Sequence, residues 1–175
     1  MSDPRTALLR EQFDLVWALF EHHAERMEPA DFLWEPAPVC WTVRQQPDGR
    51  WLPDWADTEP DPPPIPTAAW ASWHIGWWWS VTLDHAQGRT PRARETVTWP
   101  GDGPSAVAWL RELRTEWRAV LEEWDTARWD AEAPFPWPPG SGHTVADMAA
   151  WVNAELMKNV AEIGQLRLLR AALAH

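Results

Sequence analysis

The chain has 175 residues, enough for one domain with a substantial core, and it contains 17 Trp and no Tyr. Its formal charge of -11, from 26 acids against 15 bases, repels phosphate backbones and leaves no basic stripe, which argues against DNA and RNA as partners. The most apolar run, Ala68 to Leu83, is shorter than the roughly 20 residues of a spanning helix and contains His and Ser, so no membrane span is predicted.

The opening residues, MSDPRTALLREQ, lack the basic-then-apolar pattern of a signal peptide. One cysteine, Cys40, excludes an internal disulfide and suits a reducing compartment, so a cytoplasmic protein is expected. Its neighbours in Pro38-Val-Cys-Trp41 are apolar, and they predict a packed thiol rather than a nucleophile.

Four segments carry helical periodicity. The first, about 4–27, opens with Asp3 as N-cap and Pro4 behind it, and places Leu8, Leu15, Leu19 and Met27 on one stripe. An excursion from Pro29 to Pro66 follows, turn-rich and proline-rich, with at most a short hairpin around Asp48-Gly49. Its tryptophans, Trp34, Trp41, Trp51 and Trp55, argue against disorder and predict that it folds over one end of the helices.

The second helix is expected over about 67–85 and carries the stretch WASWHIGWWWS. The third, about 104–124, opens at Asp102-Gly-Pro104 and aligns Val107, Leu110, Trp117, Val120, Leu121 and Trp124. A rigid connector spans Pro134 to Gly142. The fourth helix, about 144–173, starts at Thr144 with Asp147 three residues on, a capping-box pair, and ends with Arg167 and Arg170 set against the macrodipole. The predicted fold class is all-α: a single domain, 1–175, with long Pro/Trp-rich connections and sites built from side chains facing the interior.

His74 and His85 lie near one helix face but about three turns apart, too far for one metal ion. Fourteen of the 15 basic residues are Arg, and Lys158 is the single lysine, a compact ammonium with a readily shifted pKa. His22, His23, His143 and His175 are assigned no chemistry.

The stretch from Trp151 to Leu173, WVNAELMKNVAEIGQLRLLRAAL, resembles the last helix of DinB-like proteins. The resemblance extends to WHIGWW around His74, to EPAPVCWTVR and DGRW in the excursion, and to VTWPGDG before the third helix. It implies a DinB-like four-helix bundle, related to maleylpyruvate isomerases and to thiol transferases that use mycothiol or bacillithiol. In that family, one histidine on the second helix and a His-x3-His pair on the last hold a divalent metal. His74 matches the first position; the pair falls on Ala154 and Lys158. Alanine has no donor atom, and lysine binds metal only after losing its proton.

Two arrangements of the site follow. In the preferred one the metal site is degenerate and no cofactor is expected: the Lys158 ammonium takes the space of the lost cation, balanced by Glu155 or Glu162, and an anionic or polar small molecule lies between tryptophans such as Trp77. In the other, His74, Glu155 and Glu162 hold a divalent metal (Zn, Ni or Mn), with Glu155 and Asn159 brought inward by a turn of about 100° about the helix axis. The corresponding functions are a small-molecule-binding protein, with homodimerisation through its helices an open expectation, or a metal-dependent thiol transferase or isomerase. A third reading is a structural or partner-binding protein without a small ligand.

Overall fold

The computed structural model describes residues 3–58 and 60–174; His175 lies outside the described residues. Four long helices dominate: α1 (Pro4–Ala24), α3 (Ala68–Ala86), α4 (Gly103–Glu123) and α6 (Val145–Leu173). Two short ones, α2 (Pro29–Phe32) and α5 (Thr126–Asp130), sit in the connections. The long helices start where their caps dictate. Asp3, Thr67, Asp102 and Thr144 each accept a backbone N–H of the first turn, and Thr144 and Asp147 form a reciprocal capping box.

The chain is mostly helical rather than strictly all-α. In the first excursion β1 (Cys40–Trp41) pairs in parallel with β4 (Ile65–Pro66), and β2 (Val43–Gln45) pairs antiparallel with β3 (Trp51–Pro53) around the Asp48-Gly49 turn. Gly49 has φ +86°, the left-handed conformation that such a turn requires. Strands of two or three residues are too short to leave a periodic signal in sequence. Cys40 is half-buried and its thiol donates to the Ala37 carbonyl.

Helix α1 buries a different face from the one its leucines mark. Phe13, Val16, Trp17 and Phe20 are buried, whereas Leu8 and Leu15 are 67% and 68% exposed and Leu19 is half-buried. The helix also ends before Met27. The two stripes compete, and the one carrying three aromatic rings removes more apolar area from water. Helix α4 buries the expected face, with Leu113 added and Trp124 left half-buried beyond its end.

The core is continuous. Helix α1 packs on α6 and α4, and α3 packs on α4 and α6. At the α3–α4 contact the helices are close because Gly76 has no side chain: a methyl group there would overlap the Trp109 ring. Gly164 makes the same allowance for His23 between α6 and α1. Tryptophan N–H groups fasten the connections to this core. Trp70 Nε1 donates to the Asp54 carbonyl at 2.8 Å, Trp73 Nε1 to the Val97 carbonyl at 2.8 Å, and Trp99 Nε1 to Ser72 Oγ at 3.0 Å. The segment after α3 is held by Asp84, a buried carboxylate bonded to Arg89 Nε at 2.9 Å and Arg92 Nε at 2.7 Å. Among the described residues, no helix is long and apolar enough to cross a membrane.

Because the Gly76 site is already full, Gly76→Ala is expected to lower unfolding free energy by about 1–3 kcal/mol. Urea denaturation measures this; an unchanged midpoint would show that Trp109 moves aside freely.

Candidate functional site

Helix α3 is apolar on nearly every side, and the first of its two imidazoles, His74, is enclosed by rings. His74 is stacked on Trp70, with ring centroids 5.0 Å apart and planes at 10°, and it meets Trp77 edge-on at 5.8 Å. Its Nδ1 lies 3.3 Å from Oδ1 of Asn159, which is buried on α6.

Asn159 fixes the protonation of that imidazole. Its Oδ1 also accepts the Trp78 indole N–H at 3.1 Å, and its Nδ2 donates to Glu162 Oε2 at 2.8 Å. An indole can only donate and an ionised carboxylate can only accept, so the amide cannot be turned the other way. The atom facing His74 is therefore an acceptor, and Nδ1 must carry the proton. Nε2 is left with its lone pair and takes part in no hydrogen bond among the described residues. Burial, and then the positive charge of Lys158, push the imidazole down to about 4, against the opposing influence of Asn159 and Glu155. His74 is thus neutral at physiological pH.

The ring borders a cavity of about 230 Å³, walled by Trp77, Trp78, Val81, Phe135 and Trp151, with Glu155 as its one carboxylate. Phe135 comes from the connector between α5 and α6 and is held by stacking on His85, with centroids 5.2 Å apart. Trp151 stands across both Trp78 and Phe135, 5.4 Å from each ring, with planes at 71° and 83°.

The residues singled out from sequence divide between two places. His74, Trp77 and Glu155 line this cavity, whereas Lys158 and Glu162 line a separate, apolar groove of about 470 Å³ beside Ile65 and Pro66. Asn159 bridges the two through its bonds to His74 and Glu162. Ala154 and Lys158, the positions matched to the His-x3-His pair, are both exposed; the positions one residue further on, 155 and 159, turn inward. The Lys158 ammonium does not fill the space beside His74. It pairs with Glu155 Oε1 at 2.5 Å from the solvent side, with about half its side chain exposed. Trp78, Val81, Phe135 and Trp151 were not foreseen. Trp78 and Trp151 could have been, since they lie one helical turn after His74 and one before Glu155; Phe135 depends on how the connector folds back.

The donor set does not fit a three-ligand metal centre. His74 offers one nitrogen, Ala154 none, and Lys158 an ammonium already paired with a carboxylate. Among the described residues, no three His, Cys, Asp or Glu side chains converge as a metal would require, and His74, Glu155 and Glu162 are not gathered in one such group.

A depressed histidine has a definite pH signature. Between its ordinary value of 6.5 and about 4, the unfolded chain takes up a proton at His74 that the folded chain refuses. The stability from keeping this ring neutral is therefore full above pH 6.5 and is lost as pH falls toward 4. His23 and His85, also lowered chiefly by burial, act with the same sign. Urea midpoints measured from pH 7 to 4.5 are expected to fall in the wild type and to fall less steeply in His74→Gln. Equal slopes would mean that the folded protein does not hold the ring neutral.

The model of the DinB superfamily matches residues 12–163. No curated protein and no solved structure matches the chain. With most of its length matched, and with His74 and α6 as far as Ile163 inside the matched region, the chain belongs to the DinB superfamily.

Proposed function

We propose that this DinB superfamily member is a small-molecule-binding protein: a four-helix bundle of α1, α3, α4 and α6 whose His74 cleft works without the metal of its relatives. One observation carries the reading. His74 offers an unprotonated Nε2, without a hydrogen-bond partner among the described residues, beside a cavity walled by aromatic rings, and only Glu155 of the other candidate metal ligands shares that cavity, Lys158 and Glu162 lining a separate groove. An apolar pocket with a few polar groups is the general form of a ligand site. Its volume, about 230 Å³, is below the roughly 300 Å³ at which sites for drug-sized molecules begin, so the occupant is small or is the end group of something larger. Nε2 would accept one hydrogen bond from it.

The same imidazole supports a second reading. A neutral ring with a free Nε2 is the form that ligates a metal ion, and a metal-dependent thiol transferase or isomerase would use it so, with further ligands from substrate or solvent. Elemental analysis separates the two. After incubation with excess zinc, nickel and manganese and exhaustive dialysis, untagged protein is expected to retain well below one metal per chain. Retention of about one per chain, abolished in His74→Ala, would overturn the metal-free reading in favour of the enzyme.

A further inference from the structure

Resting on the binding reading, we infer that the occupant of the His74 cavity is a small organic ammonium ion. The walls are the first reason. Trp78, Trp151 and Phe135 meet in succession at steep angles, so the cavity presents aromatic faces from more than one direction, with Trp77 and the neutral His74 ring on its remaining border. The face of an aromatic ring is the negative end of its quadrupole, and it attracts an alkylammonium group without requiring a directed hydrogen bond.

Charge is the second reason. Glu155 is the one ionised group on the lining. Its Oε1 is engaged by Lys158 from the solvent side, and Oε2 has no hydrogen-bond partner among the described residues. An anion would meet that carboxylate and the ring faces together, which reverses the sign of ligand that Lys158 suggested from sequence. A neutral molecule could use the rings but would gain nothing from Glu155. The formal charge of -11 also raises the local concentration of cations around the protein. Lys158, lying beside the carboxylate and not inside the cavity, weakens attraction for a cation without blocking its entry.

Three probes of one shape separate the possibilities by calorimetric titration: choline, the neutral 3,3-dimethylbutan-1-ol and the anionic 3,3-dimethylbutanoate. Choline is expected to bind about tenfold or more tightly than either of the others. Glu155→Gln and Trp77→Leu should each weaken choline about fivefold and leave the alcohol unchanged, whereas Lys158→Met should strengthen choline. Thermal melts check that each variant is folded, and Glu155→Gln, a near-isosteric change on a helix, stands as the test if Trp77→Leu fails to fold. Equal binding of choline and alcohol, a preference for the anion, or a choline preference that Glu155→Gln leaves undiminished overturns the ammonium inference and leaves the binding reading intact. Absence of binding by all three overturns both.

Discussion

A buried tryptophan brings a large apolar surface out of water together with one N–H that must find an acceptor, and leaving such a donor unpaired costs about 1–3 kcal/mol. With 17 tryptophans, eight of them buried, this requirement organises the molecule. Trp70 reaches the excursion at Asp54, Trp73 reaches Val97 beyond the end of α3, and Trp129 reaches Thr6 at the start of α1. Each bond joins segments far apart in sequence, so satisfying the indoles also fixes how irregular connections lie on the helices. Trp79 and Trp117 have unpartnered N–H groups among the described residues, and their rings are held by contact alone.

The candidate site is one case of the same requirement. Trp78 needs an acceptor inside the α3–α6 contact, and Asn159 supplies it. A carboxamide also has a donor at a fixed position, which Glu162 takes, and the orientation so imposed sets the tautomer of His74. Leucine at 159 would leave the indole, the imidazole and the carboxylate without this partner, and aspartate would set a second negative charge against Glu162. The chemistry of the cleft thus begins with the packing of a neighbouring tryptophan.

Helix starts were legible because caps are local: Asp3, Thr67, Asp102 and Thr144 act within their own first turn. The Asp48-Gly49 hairpin was legible for the same reason. The buried face of α1 was not, because its leucine and aromatic stripes both have helical spacing and only packing against α4 and α6 chooses between them. Position 74 was visible through its family resemblance, whereas the sequence supports two arrangements for the inward face of α6, of which the less favoured one turns Glu155 and Asn159 inward. One residue is a rotation of 100°, so assigning the pair to 154 and 158 rather than 155 and 159 exchanges exposed side chains for those that meet α3. Phe135 closes the cavity from a connector whose path no periodicity records, and it does so against Trp151 of α6.

The account depends most on the state of one imidazole, and long-range proton–nitrogen NMR of the histidine side chains reads it directly, with His74→Gln supplying the assignment. The account predicts a neutral His74 ring protonated at Nδ1, with Nε2 free, from pH 7 down to about 5. A ring protonated at Nε2, or one that titrates near 6.5, would contradict it.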